Sequence, residues 1–380
     1  MARVGRAQKV GKSQLMEQER VKGDTYSGNG PDAGAGTALM RDVAERAGVA
    51  ISTVSRALAN PDRVSQKTRD RIIAAAAQLG YTPNAVARNL RKGSARLMMI
   101  VLPGPFFSGA SQIIPGVLEG VAATLAAEGF NLMIANLDRS EAVERHILDL
   151  AYGGTIAGSM TLASYLPQQG ARSLVGAGLP LVGILQDVSG QGVPSVVTND
   201  RTAMRDATAR LLALGHRSFL YIAAPPDNYH EHERFGGVQA AIAAAGLPPA
   251  AVQRIESGDS FQFGLQAGAA TAESYLRIPP AQRPTAIIAS SDDAAIAFMG
   301  YVTRAGVQVP GDVSVLGFDG ATVGAHLAPP LSSLIQPARA MGNEAARLLL
   351  AQLSGAKIPS VVTLESTLAE RGSTGPAPTR

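Results

Sequence analysis

Between Ile51 and Thr68 the chain sets short hydroxyls, a guanidinium and an ammonium among a few small apolar residues, in the stretch GVAISTVSRALANPDRVSQKTRDRI, residues 48–72. Side chains of these types at helical spacing can recognise a surface. Arg56 can pair two-pronged with guanine or clamp a phosphate, Ser52 and Ser55 can bond bases or phosphates, and Ile51 can touch a thymine methyl. Thr53 suits support of the turn or a phosphate contact. Asn60, Ser65, Lys67 and Thr68 stand where phosphate contacts are expected. A plain three-helix bundle with a polar face would share this spacing, so the distribution of charge has to separate the two readings. Residues 37–94 hold ten Lys/Arg against four Asp/Glu, residues 1–36 six against four, and the remainder eighteen against twenty-two. The positive excess therefore sits with the hydroxyls, the asymmetry expected of a module for double-stranded DNA joined to a near-neutral sensor.

A second set of polar residues follows apolar runs. Asp319 comes after VSVLGF, Asp292 and Asp293 after TAIIASS, Gln336 after LSSLI, and Arg234 is expected to open a helix after FLYIAAP. Carboxylate, amide and guanidinium groups suit the hydroxyls of a sugar, sugar phosphate or nucleoside, and Phe106, Phe107 and Phe261 could offer stacking faces. HEHER, residues 230–234, has a His-x-His pair but no recognisable third ligand and no HExxH, so it is read as a mobile lip of the cleft, with no metal. Gly11-Lys12-Ser13 lacks both the spacing and the preceding strand of a phosphate loop. The chain has no Cys, which removes disulfides, thiolate zinc sites and cysteine nucleophiles together. With no Ser-His-Asp spacing either, neither an enzyme nor a bound cofactor is expected.

These residues need two kinds of scaffold. Residues 37–82 read as three short helices, Met40 to Ala47, Ile51 to Leu58 and Gln66 to Leu79. Gly48 permits the first turn, Ser65 caps the third helix, and Gly80 ends it. The third helix is expected to bury Ile72, Ile73, Ala76 and Leu79. Residues 1–36 are polar and Gly-rich and read as a disordered leader, and 83–94 as a linker with helical potential. From 95 to 375, apolar runs (LMMIVLP, FNLMIANL, IAGSMTLAS, LPLVGIL, SVVTN, FLYIAAP and others) alternate with helical stretches. That is the signature of parallel sheets covered on both faces, and the length calls for two lobes. No secretory h-region and no run long enough to span a membrane occurs, so a cytoplasmic protein is expected.

The order DVAERAGVAISTVSRALANPDRVSQKTRDRI, LGYTPNAVARNL, LGHRSFLYIAAP, VPGDVSVLGFDG and ERGST closely resembles the LacI/GalR family of transcriptional regulators, across nearly the whole chain after the leader. The resemblance implies an all-α helix-turn-helix headpiece followed by a periplasmic-binding-protein-like effector domain of two doubly wound parallel-sheet lobes. It implies a homodimeric repressor whose operator affinity a small effector controls. A sugar-binding transport protein is the alternative, which the basic headpiece opposes. By resemblance, Ile51, Ser52 and Arg56 match base-reading positions. Asn84 to Arg91 matches a hinge helix that orders on DNA, with Asn84, Ala87 and Leu90 as contacts and Leu90 as a minor-groove wedge. Arg234 and Asp319 match effector-binding positions, Gln336 aligns with a cleft glutamine, and Ser291 stands beside Asp292 where many relatives have Asn. Phe261 and Asp187 are further matches. Ala50 departs from the pattern, which often places a capping Ser there.

Overall fold

The structure, a computed structural model, describes residues 39–59, 63–81, 96–104, 113–138, 140–225, 229–256 and 263–379. The expected leader and hinge helix, and with them Asn84, Ala87 and Leu90, lie outside the described residues, as do Asn60, Phe106, Phe107 and Phe261. The chain divides into two compact units, Met1–Arg88 and Asn89–Arg380.

In the first unit, α1 (Met40–Ala47) ends on Gly48, whose φ of +59° belongs to the left-handed region that glycine enters without steric cost. α2 (Ile51–Ala59) and α3 (Gln66–Gln78) follow. Their shared core is small: Val43, Ala44, Ala47, Val54, Ala57, Ile72, Ala75 and Ala76. Short side chains let three short helices close on one another, and the remaining surface is left to polar groups. Two expectations change. Ile73 is 52% exposed, because one residue beyond the inward-facing Ile72 turns the side chain about 100° around the helix. Ser65 does occupy the N-cap of α3, but its hydroxyl pairs with Thr68 Oγ1 at 2.9 Å instead of a backbone amide.

The second unit contains two six-stranded sheets. The first has order β13-β7-β6-β3-β1-β2 and is wholly parallel: β1 Leu97–Pro103, β2 Asn131–Leu137, β3 Gly158–Thr161, β6 Leu181–Ile184, β7 Ser195–Thr198 and β13 Val361–Leu364. The second has order β14-β12-β11-β10-β8-β9: β8 Phe219–Ile222, β9 Val252–Ile255, β10 Ala286–Ala289, β11 Ser314–Asp319, β12 Ser332–Ile335 and β14 Thr367–Ala369, the last antiparallel. A small hairpin, β4 and β5, joins Gln168–Gln169 to Arg172–Ser173. Strands β3, β6, β7, β8 and β10 are buried along their whole length, as continuous apolar runs require in a sheet covered on both faces. FNLMIANL does not follow that expectation. β2 is an edge strand, and Ile134 within it is exposed.

Helices α4 (Ile113–Ala127), α5 (Glu141–Tyr152) and α10 (Ala338–Leu353) pack on the first sheet. Helices α6 (Asp200–Ala213), α7 (Tyr229–Ala244), α8 (Phe263–Arg277) and α9 (Asp292–Arg304) pack on the second. The abundant glycine serves helix–helix approach. A Cβ on Gly120 of α4 would strike the Arg339 carbonyl, and one on Gly342 of α10 would strike that of Val117. The chain passes between the sheets three times, from β7 to α6, from β12 to α10 and from β13 to β14. Polar contacts tie these passages together: Thr198 Oγ1 lies 3.2 Å from Gln336 Oε1, Asn199 N donates to Leu364 O (3.1 Å) and Ser366 N to Asn199 Oδ1 (2.8 Å).

Candidate functional site

On the first unit the candidate surface is the first turns of α2. The Ala50 carbonyl accepts from the amides of Thr53 (2.8 Å) and Val54 (3.2 Å), so Ala50 is the residue at which the helix starts, and it has no side-chain oxygen to cap it. Val54 and Ala57 face the core, which turns Ile51, Ser52 and Arg56 to solvent and leaves Thr53 and Ser55 partly covered. Ser65 and Lys67 are exposed, and Thr68 partly so. Among the described residues, no carboxylate forms an ion pair with Arg56 or Lys67. The described part of the expected DNA-reading set thus shares one small module, with its cations available to an external anion.

In the second unit, Arg234 lies on the second turn of α7, which begins at Tyr229; the helix starts five residues earlier than expected. HEHER is therefore part of a helix, and the expected mobile lip is wrong. Glu231 anchors that helix. Its carboxylate is buried and accepts from Tyr221 Oη (3.1 Å), Ala224 N (2.7 Å) and Arg254 Nε (3.1 Å). Among the described residues no cluster of three His, Cys, Asp or Glu could hold a metal ion.

Arg234 is 6% exposed. Its Nε donates to Asp200 Oδ2 (2.9 Å), its Nη1 donates to the Ser290 carbonyl (2.5 Å), and its Nη2 lies 3.7 Å from Asp319 Oδ1. The guanidinium stacks 3.7 Å from the centre of the Phe318 ring. Asp200, 1% exposed, also accepts from Thr198 Oγ1 (2.5 Å) and bonds His230 Nδ1 (2.8 Å). Gln336 Nε2 donates to Asp319 Oδ1 (2.7 Å) and closes the ring of contacts. Asp319 has φ +116°, a conformation costly for any residue with a Cβ, and such strain is typically retained where a side chain must be aimed.

The electrostatics follow from crowding acids into a dry site. Burial works against ionisation of Asp200, but the charges of Arg234 and His230, with the hydrogen bonds from His230 and Thr198, outweigh it and hold this carboxyl well below the usual range. Burial pushes Asp319 up, against the pull of Arg234 and Gln336. Asp292 is pushed up to about 7, first by burial and then by the charge of Asp319, and Asp293 to about 6 by the same two causes. The site is short of positive charge.

The expected effector residues divide. Arg234, Asp319 and Gln336 meet directly. Asp292 lies behind them, with both oxygens engaged by Ser333 Oγ (2.7 Å) and Ala321 N (2.6 Å). Ser291 caps α9 through Ala294 N (3.4 Å). Asp187 is exposed and accepts from Ser189 N (2.9 Å), outside the Arg234 network. Sequence reasoning missed Asp200, Thr198 and the structural use of His230. The signal was present, since Asp200 follows SVVTN just as Asp319 follows VSVLGF. Among the described residues four side-chain polar atoms are buried without a partner, Thr271 Oγ1, Ser366 Oγ, Gln186 Oε1 and Ser290 Oγ, and the last two lie beyond the carboxyl ends of β6 and β10.

Residues 39–84 match the family described as bacterial regulatory proteins, lacI family, and residues 208–374 match a periplasmic binding protein-like domain. The HTH-type transcriptional repressor CytR of Escherichia coli (strain K12) is 33% identical over 345 residues, covering 90% of this chain and 97% of the repressor. The ribose operon repressor of Bacillus subtilis (strain 168) is 32% identical over 316 residues, 82% of this chain and 91% of its own. A structure of the transcriptional regulator CelR in complex with cellobiose superposes with a TM-score of 0.62 at 29% identity, covering 88% of this chain and 99% of that one. The lac repressor dimer bound to operator and an anti-inducer superposes at 0.73 with 23% identity, over 90% and 100% of the two chains, a likeness of fold.

Proposed function

The chain belongs to the lacI family of bacterial regulatory proteins and is a DNA-binding transcription regulator, not an enzyme; from that premise we propose how it reads DNA and what controls it. α2 enters the major groove of an operator with Ile51, Ser52 and Arg56 toward base edges. Thr53, Ser55, Ser65, Lys67 and Thr68 hold phosphates. Two copies bind an imperfect palindrome, one half-site each. Residues 83–94, as the hinge, carry Asn84, Ala87 and Leu90 to the centre of the site. A small hydroxyl-bearing effector, a sugar, sugar phosphate or nucleoside, occupies the crevice at the strand ends of the second unit, with Arg234, Asp319 and Gln336 as its anchors. The observation that carries this reading is that ring of buried groups, set where the chain passes from one sheet to the other. A ligand bound there has differential contacts with open and closed lobes, the condition for shifting a two-state equilibrium. The names of CelR–cellobiose and the ribose operon repressor support a sugar-like effector class.

Coupling is reciprocal: an effector that weakens operator binding binds the operator complex more weakly by the same factor. Fluorescence anisotropy on labelled duplexes, with and without a panel of sugars and nucleosides, tests the whole reading. The expected result is preference for one palindromic duplex, modulated by at least one ligand. A single affinity for every duplex, unmoved by any ligand, would overturn it.

A further inference from the structure

We propose that the crevice selects uncharged, hydroxyl-rich ligands and turns away phosphorylated or carboxylated ones, with Asp200 as the residue that sets this selection. The inference rests on the reading that the crevice is the effector site, and narrows it. Arg234 is a guanidinium of the kind that could capture a phosphate, and a bidentate Arg–phosphate pair needs its N–H edges. Part of each edge is already engaged. Nε is held by the Asp200 carboxylate, Nη1 by the Ser290 carbonyl, Nη2 faces Asp319, and one face of the guanidinium plane is covered by the Phe318 ring. A phosphate entering here has to displace a carboxylate the chain itself supplies, whereas a hydroxyl can accept from a remaining N–H and donate to Asp319 or Gln336 without doing so.

Helix N-termini are the other common means of holding an anion, through amides left without helical partners. Among the described residues four helices start beyond the carboxyl ends of strands that carry these groups: α10 has no acid in its first turn, α7 carries Glu231, and the other two carry acids at their first residues. α6 begins with Asp200 and α9 with Asp292 and Asp293. His230 adds no spare positive charge, since its Nδ1 is bonded to Asp200. Arg201, next to Asp200 in sequence, is engaged by Glu233 through Nε (3.0 Å) and Nη2 (3.1 Å). The balance in and around the ring is four carboxyls (Asp200, Asp292, Asp293 and Asp319) against one guanidinium and one imidazole. Asp292 and Asp293 are displaced upward first by burial and then by the nearby charge of Asp319. The buried and unpartnered Gln186 Oε1 and Ser290 Oγ are neutral groups, suited to hydroxyls.

The test is calorimetric titration and thermal shift of the full chain with matched pairs: D-ribose against ribose 5-phosphate, glucose against glucose 6-phosphate and gluconate, cellobiose, and adenosine, cytidine, uridine and guanosine against their 5′-monophosphates. The expected result is that any pair recognised at all is recognised through its neutral member, tighter by at least about tenfold. Asp200→Asn, which keeps the shape and removes the charge, then narrows that ratio by about tenfold, chiefly by admitting the phosphorylated member. Equal or tighter binding of a phosphorylated or carboxylated ligand by the wild type overturns the charge selection and leaves the effector reading standing. Binding of no compound, neutral or charged, overturns the effector reading and this inference with it. If Asp200→Asn folds and its ratio matches the wild type, Asp200 is not the determinant. If it does not fold, the wild-type pairs decide the selection.

Discussion

Ile51 on α2 is 50% exposed and Arg56 stands in solvent beside it, whereas Arg234 in the crevice is 6% exposed and faces two carboxylates. The same residue type, arginine, is presented in opposite ways. On the headpiece the partner is external, so the cation is left open and bulk salt competes for it. In the crevice the partner is built in, so the charge is spent on organising neighbours, and low polarity magnifies each loss. The difference teaches what a functional arginine costs when removed: an open one costs binding and a buried one costs the fold as well.

The largest effect that would sharpen this contrast is at Arg234. Arg234→Met leaves Asp200 and Asp319 without their cation, and about 3–5 kcal/mol of stability should be lost in urea unfolding, together with any ligand-induced thermal shift. If Arg234→Met unfolds like the wild type, the contrast is broken. Arg56→Ala should instead leave unfolding within about 0.5 kcal/mol of the wild type and weaken operator binding by about 1–3 kcal/mol. Raising salt from about 50 to 200 mM should reduce operator affinity steeply, by orders of magnitude, with ligand affinity nearly constant. Equal salt sensitivity at the two sites would contradict the picture.

Acidity offers a third comparison. A carboxyl whose folded pKa lies above its unfolded value keeps a proton that the unfolded chain releases, so stability falls as pH rises between the two values. Asp292, pushed up to about 7, is the main contributor, and stability should decline by on the order of 1–2 kcal/mol from pH 5 to pH 7 and level off above. Denaturant midpoints across that range check it, and a rising midpoint would contradict it. The smallest effect belongs to the headpiece. Ala50→Ser supplies the missing helix cap and should stabilise α2 by about 0.5–1 kcal/mol, read as slower amide exchange in 51–54. No change there would mean that the N-cap amides are already satisfied.

The headpiece was legible because its signals are local. A glycine turn, apolar residues three and four apart and polar residues between them fix which side chains face out, and helix boundaries followed to within a residue at each end. Ile73 was misplaced because several alanines around it permit more than one apolar face. In the crevice the strand-end rule located Arg234, Asp319 and Gln336, but pairing across a fold is not written in any window of sequence. Asp200 lies thirty-four residues from Arg234 and its importance appears only once β7 and α7 are brought together. The same is true of Asp292, whose two oxygens are engaged from Ala321 and Ser333, far along the chain.

Thr198, Asp200 and Gln336 belong both to the ring around Arg234 and to the segments by which the polypeptide passes from one sheet to the other. The groups proposed to hold the effector and the segments that join the two sheets are thus one object. On the proposed reading, re-engineering those three positions to accept a different effector would also move the resting balance between open and shut forms, so selectivity and the unliganded state would drift together. On the same reading Gln186 and Ser290, which lie beyond strand ends but on no crossing segment, are the positions at which to alter selectivity without loosening the joint.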